Sequence, residues 1–145
     1  MRLTLFTTLS LAAATSAAVL PREDADMGSW DATYNVISAA NGYKSTKLTA
    51  VYSNSQLSEP ITATCSYEYN PTADPKETSS CDPESFSYSL GVENNDQVLS
   101  LTQTVELWGE QVTVFGDAPI IVSCASASGR SCSGETTVKV TKAIA

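Results

Sequence analysis

The chain carries four cysteines, the residues with the clearest chemistry in the sequence. They are Cys65, Cys81, Cys124 and Cys132, and four cysteines permit three pairings. Pairing of neighbours is favoured because each neighbouring pair brackets a turn-rich segment. A zinc site would need close Cys or His pairs, and the sequence contains no histidine. We therefore predict two disulfides, Cys65–Cys81 and Cys124–Cys132.

The missing histidine also narrows the catalytic chemistry. Without it the chain has no Ser-His or Cys-His nucleophile pair and no imidazole metal ligand. Glycoside hydrolysis stays open, because it needs only two carboxyl groups roughly 5 to 10 Å apart. The acids that could supply them are Glu68, Glu84, Glu106, Glu110 and Asp117. Acids on the solvent face of a strand are ordinary, so no catalytic residue is predicted.

A calcium site is a second use that acidic residues could serve. The acids around the second cysteine are Asp74, Glu77, Asp82 and Glu84. Their spacing is not that of an EF-hand loop. Acids of this kind usually form a solvated surface. We predict no metal ion and no cofactor.

Aromatic side chains could form a site for a small planar ligand at the mouth of a barrel. Four of them, in segments where apolar and polar residues alternate, stand at the apolar positions, which point inward in a β-strand: Tyr67, Tyr69, Phe86 and Tyr88. This inward phase favours packing in the core or between strands. Trp30 and Trp108 could instead form an exposed contact, although core or edge packing is the favoured interpretation for both.

Short strands must position these residues, because the apolar pattern repeats with a period of two. The clearest segment is ITATCSYEY, residues 61–69, in which Thr, Ser and Glu alternate with apolar residues and tyrosines. In QVLSLTQTVELW, residues 97–108, the apolar phase is interrupted at Gln103. About eight such segments are separated by turn residues. We predict an all-β domain, a small antiparallel barrel or sandwich of about eight strands stapled by two disulfides.

The first residues have the pattern of a secretory signal peptide. Arg2 precedes an apolar stretch that is shorter than the ~20 residues of a membrane span, and small residues stand at Ser16 and Ala18. We predict a signal peptide over 1–18, a disordered tail or short pro-segment over 19–29, and one domain over 30–145. The protein is thus expected to be secreted and to have no membrane span.

Charge and loops constrain the partners. The formal net charge is −8, and nucleic acid and anionic lipid are poor partners for an acidic chain. Recognition usually lies in loops on a rigid sheet. The predicted interaction loops are 70–80 and 125–130. The candidate residues in them are Asn70, Asp74, Lys76, Glu77, Ser126 and Arg130.

One family shares this arrangement of cysteines and strands. The pattern TCSYEY…SSCDPESFSYSL…LSLTQTVEL…IIVSCASASGRSCSGETTVKVT resembles the Alternaria major-allergen family of small secreted fungal β-barrels, which includes elicitors of the plant hypersensitive response. Cys65 and Cys81 match the first family pair, and Cys124 and Cys132 match the second. The resemblance implies a non-catalytic effector that meets a host plant protein or receptor in the apoplast.

The resemblance also bears on oligomeric state. Dimers of the family use a further cysteine near the mature N-terminus, where this chain has only DADMGSW, residues 24–30. We therefore expect a monomer or a weak noncovalent dimer. Two other functions stay open: a small hydrolase of cell-wall glycan that uses carboxylates such as Glu106 and Glu110, and a structural or protective component of the cell wall.

Overall fold

The structure, a computed structural model, describes residues 27–125 and 130–145. The predicted signal peptide, residues 19–26 of the predicted tail and Ser126 lie outside the described residues. The described chain is all-β, as predicted, and forms ten strands. They are β1 (Ser29–Ser38), β2 (Lys44–Ser53), β3 (Ile61–Tyr69), β4 (Glu77–Asp82), β5 (Phe86–Glu93), β6 (Asp96–Leu107), β7 (Glu110–Pro119), β8 (Ser123–Cys124), β9 (Ser131–Lys139) and β10 (Lys142–Ile144).

The strands form two antiparallel sheets. The six-stranded sheet has the order β4-β3-β2-β1-β9-β8, and the four-stranded sheet has the order β10-β7-β6-β5. One apolar core contains buried side chains from both sheets. Of the two predicted architectures, the observed one is therefore an open pair of packed sheets, not a closed barrel.

The core follows the predicted alternation, because every second side chain of a strand points to the same face. In β1 and β2 the buried residues include Trp30, Leu48 and Tyr52, and the rings of Trp30 and Tyr52 lie 5.3 Å apart between centroids. The four-stranded sheet contributes Phe86, Leu99, Leu101, Val105, Leu107, Val112 and Val114. The interior between the sheets is thus filled by side chains.

Gln103 is a polar residue within this apolar core. It lies on the inward phase of β6 and is only 1% exposed. Trp30 Nε1 donates a 2.8 Å hydrogen bond to Gln103 Oε1, which joins the two sheets through their side chains. Gln103 Nε2 has no hydrogen-bond partner among the residues that the structure describes. The interruption of the apolar phase in the sequence therefore marks a buried polar contact between the sheets.

The ordered domain begins earlier than Trp30, the predicted start. Met27 packs against the core, and its carbonyl oxygen accepts a 2.6 Å hydrogen bond from the hydroxyl of Tyr52. Asn54 Nδ2 donates to the same hydroxyl at 3.1 Å. Residues 27–29 of the predicted tail are consequently part of the folded domain, with Ser29 as the first residue of β1.

The two sheets approach each other closely where β9 leads into β10. The Val140 N–H donates to Gly28 O at 3.0 Å, and the Thr141 N–H donates to Phe115 O at 2.8 Å. A β-carbon on Gly116 of β7 would collide with the carbonyl oxygen of Lys139. Only glycine allows this approach. The chain therefore crosses from one sheet to the other here, whereas β4 and β5 form the terminal strands on the opposite side.

The strand assignments differ from the prediction at three places. β4 was predicted as loop because its sequence ETSSCD has no apolar alternation. In the structure all of its residues except Cys81 are exposed. A strand is also predicted from the sequence over APIIVSCA, residues 118–125, but Ala118 and Pro119 end β7 and only Ser123–Cys124 forms a further strand there. The last predicted strand, ETTVKVTKAI at residues 135–144, is divided between β9 and β10. β4, β8 and β10 are almost entirely exposed, so their limits do not follow from a buried apolar phase.

Two hairpin turns use left-handed backbone conformations. Asn94 and Asn95, between β5 and β6, have φ of 52° and 69°. Trp108 and Gly109, between β6 and β7, have φ of 53° and 75°. Positive φ at both central residues is the mark of a two-residue type I′ turn, for which Asn-Gly is the preferred sequence. The bulky residue at the first position of the second turn is unusual.

We expect Trp108→Asn to raise the free energy of unfolding by about 0.5 to 1 kcal/mol. The reason is that asparagine adopts positive φ more readily than tryptophan, and the Trp108 side chain is already 59% exposed. Urea denaturation measures the difference. Trp108→Val is the matched control, and it should lower stability because a β-branched residue tolerates positive φ poorly. A destabilised Asn variant would show that burial of the unexposed part of the Trp108 side chain outweighs the turn conformation.

Candidate recognition surface

Two connections and Arg130, the residue before β9, lie together at one end of the six-stranded sheet, and we name this group the loop end. It consists of the β1–β2 turn (39–43), the β3–β4 connection (70–76) and Arg130. The Ser38 N–H donates a 2.8 Å hydrogen bond to Arg130 O. A β-carbon on Gly42 would lie 3.7 Å from Pro71 Cγ. Residues 70–76 of one predicted interaction loop and Arg130 of the other therefore lie at the same end of the sheet, where Arg130 contacts the end of β1 and Pro71 lies beside the β1–β2 turn.

Asn70 organises the β3–β4 connection. Its N–H donates to Lys76 O at 2.8 Å, and its carbonyl oxygen accepts from the Ala73 N–H at 3.2 Å. Its Oδ1 accepts from both the N–H and the hydroxyl of Thr72, at 3.1 and 2.9 Å. Asp74 and Lys76 are exposed on this connection. The segment is therefore held by its own hydrogen bonds and presents two oppositely charged side chains.

Glu77 and the residues after it do not belong to this loop. They form β4, which pairs with β3 in the register Tyr69↔Glu77 to Thr64↔Asp82. The predicted loop over 70–80 is thus too long, and the observed connection ends at Lys76. Arg130 is exposed and immediately precedes β9. Ser126 and the rest of 126–129 are outside the described part of the chain.

Both predicted disulfides are confirmed. Cys65–Cys81 joins directly opposed residues of β3 and β4, with 4.0 Å between the Cα atoms. Cys124–Cys132 joins β8 and β9 in the same way, with 3.9 Å between the Cα atoms. β4 and β8 are the two edge strands of the six-stranded sheet. Each disulfide therefore fastens one edge strand to its inner neighbour.

A cleft of about 630 Å³ opens between β3 and β4 on one side and β5 on the other, and we name it the β4–β5 cleft. Its lining consists of Cys65, Ser66, Tyr67, Ser79, Ser80, Cys81, Glu84, Phe86, Ser87 and Tyr88. At its rim the Tyr67 hydroxyl donates a 3.1 Å hydrogen bond to Glu77 Oε1. Tyr88 meets Tyr34 edge to face, with 6.5 Å between ring centroids.

Three of the four aromatics on the inward phase, Tyr67, Phe86 and Tyr88, line this cleft, whereas Tyr69 does not. The cleft was not predicted from the sequence because β4, one of its walls, has no apolar alternation. The predicted Cys65–Cys81 disulfide did contain a signal for a strand at this position. A disulfide from the middle of a strand to a nearby residue is most easily closed by an antiparallel neighbour.

The cleft alters the acidity of two phenols. Partial burial, followed by the hydrogen bond and negative charge of Glu77, raises the pKa of Tyr67 above its ordinary value. Burial, with a smaller contribution from Tyr34, raises the pKa of Tyr88. Both side chains thus hold their protons more tightly in the folded protein than in the unfolded chain.

We expect the free energy of unfolding to decline as the pH rises above about 10, where unfolded tyrosines lose their protons. A folded-state pKa above the unfolded value stabilises the fold fully below the unfolded pKa, and this contribution is lost as the pH rises through the folded pKa. Urea denaturation between pH 8 and 11 would measure the slope. In Tyr67→Phe with Tyr88→Phe the slope should be shallower, and an unchanged slope would contradict the assignment.

The acids considered for hydrolysis are separated by the strand register. Glu106 lies opposite Gln111, and Glu110 lies opposite Leu107 on the other face of the hairpin. The two carboxylates therefore do not face one cleft. Glu68 and Asp117 are exposed on β3 and β7, and Glu84 alone of the five lines the β4–β5 cleft.

The acids considered for calcium likewise do not assemble into a metal centre. Within residues 27–125 and 130–145, no group of three or more His, Cys, Asp or Glu side chains is placed to hold a metal ion. A shallow depression of about 480 Å³ does bring Asp31 and Glu135 to the outer face of β1 and β9, which the sequence analysis did not anticipate. There Asp31 Oδ1 accepts a 2.9 Å hydrogen bond from the Thr137 hydroxyl.

Two further findings concern the chain as a whole. The described residues include no helix of the length and apolar character needed to cross a membrane. The chain matches no model of a known protein family, no curated protein and no solved structure. The similarity to the Alternaria major-allergen family therefore stays a prediction that rests on the sequence pattern.

Proposed function

We propose that this protein is a secreted fungal effector or elicitor that contacts a host plant component through the loop end and triggers a defence response or cell death. Its action is non-catalytic. The observation that supports this proposal is the grouping of 70–76, 39–43 and Arg130 at one end of a sheet. A rigid sheet that presents several loops at one end is a common arrangement for recognition.

Two further features favour a surface mode of action. Buried side chains such as Trp30, Tyr52 and Phe86 occupy the interior. Binding of a partner at the surface is therefore favoured over binding of a ligand between the sheets. The Cys65–Cys81 disulfide and the hydrogen bonds of Asn70 restrain the β3–β4 connection before any partner arrives. A restrained loop loses less conformational entropy on binding. Two disulfides are also compatible with an extracellular protein.

Leaf infiltration with the purified secreted protein tests the proposal. We expect necrosis or induction of defence genes with the native protein and none with a reduced, heat-denatured sample. The absence of both responses in several plant species would refute the proposed function.

A matched pair of variants tests the position of the surface. Asp74→Ala with Lys76→Ala removes one acid and one base from the loop end, where both are exposed. Asp117→Ala with Lys142→Ala removes one of each from exposed positions in the four-stranded sheet. We expect only the first variant to weaken the leaf response. An equal response from both would exclude Asp74 and Lys76 from recognition while leaving the elicitor activity standing.

A further inference from the structure

β5 is an edge strand that lacks the usual protection. It lies at the end of the four-stranded sheet, paired with β6 on one side, and no strand among the described residues pairs with its other edge. Natural edge strands are usually short, charged, interrupted by proline or covered. β5 has eight residues, and Phe86–Val92 contains neither a charge nor a proline.

The other sheet edges differ from β5. β8 and β10 have only two and three residues. β4 carries Glu77 and Asp82 at its ends and is bonded to β3 through Cys81. Among the described strands, β5 is therefore the long edge on which an additional extended chain could form backbone hydrogen bonds.

The side chains beside this edge indicate the chemistry of such a chain. β5 forms one wall of the β4–β5 cleft, whose aromatic lining is Tyr67, Phe86 and Tyr88. Glu84 lines the same cleft, and Glu77 accepts a hydrogen bond from the Tyr67 hydroxyl at its rim. No lysine or arginine in the described part of the chain lines it. Aromatic faces and carboxylates together attract lysine and arginine side chains.

The net charge of the protein also distinguishes between a second copy of the chain and a basic partner as the occupant of the β5 edge. A second copy of this protein would bring another net charge of −8 and a second Glu84 to the same region. A basic partner would instead complement the charge of the cleft. We propose that the β5 edge and the β4–β5 cleft bind an extended segment of a basic partner protein, which adds a strand beside β5 and directs lysine or arginine side chains toward Glu84 and Tyr67. This mode of binding is β-augmentation.

The test uses synthetic peptides and is independent of the leaf assay. The probe is an acetylated, amidated octapeptide of alternating lysine and valine, and the first control has glutamate in place of lysine. Two further controls carry N-methyl groups at the odd or at the even positions, which removes the N–H donors from one edge of the peptide. Titration into the isotope-labelled secreted protein is followed by NMR, with hydrogen exchange of the β5 amides as a second measurement.

We expect the lysine peptide to bind, to protect amides within Phe86–Val92 from exchange, and to lose affinity as salt is added. One of the two N-methylated peptides should lose binding. Glu84→Gln should weaken binding about two- to fivefold, the range of a partly exposed charge pair. Glu135→Gln, the same change at an exposed position of β9 in the other sheet, should leave the affinity unchanged.

Several results would overturn the proposal. They are no saturable binding of the lysine peptide up to about 1 mM, equal binding of the glutamate peptide, equal binding of both N-methylated peptides, or spectral changes that lie away from β4 and β5.

Light scattering across protein concentrations tests whether a second copy of the protein occupies the β5 edge instead. A dimer that the lysine peptide does not displace, with β5 amides protected by dimerisation alone, would assign this edge to a second copy and refute the basic partner.

Discussion

Trp30→Ala should lower the free energy of unfolding by about 3 to 5 kcal/mol, the range for removal of a large buried aromatic side chain. Trp30 is fully buried at 0% exposure and packs on Tyr52. The substitution would leave a cavity between the sheets. It would also remove the hydrogen bond that Gln103 Oε1 accepts, so that neither side-chain polar atom of Gln103 would have a hydrogen-bond partner among the described residues.

The second tryptophan provides the control for this prediction. Trp108→Ala removes the same side chain from a position that is 59% exposed, where the expected change is within about 0.5 kcal/mol. Urea denaturation of both variants measures the difference. If the two substitutions had equal effects, the assignment of Trp30 to the centre of the core would be wrong.

A double-mutant cycle separates the hydrogen bond from the packing. Gln103→Leu should destabilise the protein by about 1 to 3 kcal/mol, because it leaves Trp30 Nε1 buried without an acceptor. In a Trp30→Phe background the same change should cost less, because no buried donor remains. We expect a coupling energy of about 0.5 to 3 kcal/mol between the two sites. A coupling of zero would show that the Trp30–Gln103 contact contributes nothing to joining the sheets.

Removal of the Cys65–Cys81 disulfide is the second large effect. Cys65→Ala with Cys81→Ala should lower the free energy of unfolding by about 3 kcal/mol from chain entropy alone, given the sequence separation of 16 residues. Cys65 is also buried, so the loss of its sulfur adds a packing cost. The corresponding double substitution at Cys124 and Cys132, with a separation of 8, should cost about 2.5 kcal/mol.

The first disulfide should have a local effect as well. Apart from Cys81, the residues of β4 are exposed, so little apolar burial holds this strand to β3. Without the disulfide we expect hydrogen-exchange protection to fall further across 79–82 than in β1, which lies between two neighbouring strands and should lose only what the lower global stability removes. Uniform loss of protection would contradict this account. The same variant should weaken the leaf response, because the connection at 70–76 would lose its anchor.

The sequence predicted the strands that bury one face. In β3 and β6 every second residue is apolar or aromatic, and these are the residues that the structure places inward, including the polar exception at Gln103. Alternation identified them because the side-chain period of a strand is two, whatever the strand later pairs with. The same argument failed for β4, which is polar throughout and is held by backbone pairing and a disulfide.

The site depends on contacts that no local pattern contains. Glu106 and Glu110 are close in sequence, yet the register of the β6–β7 hairpin places them on opposite faces. Tyr67 and Tyr88 belong to different sheets and meet one cleft because β4 and β5 are terminal strands on the same side of the core. Neither of these spatial relations can be predicted from the alternation of apolar and polar residues within one strand.

The sequence by itself therefore determined the all-β class, the inward residues of the long strands, the turns and the two cysteine pairs. These features depend on neighbours a few residues apart or on a turn-rich segment between two cysteines. Only the tertiary structure decided that the sheets stay open, that 39–43, 70–76 and Arg130 lie together, and that β5 is an edge among the described strands, beside an acidic, aromatic cleft. Those features depend on the order and register of strands distant in sequence, which is set by packing across the whole core.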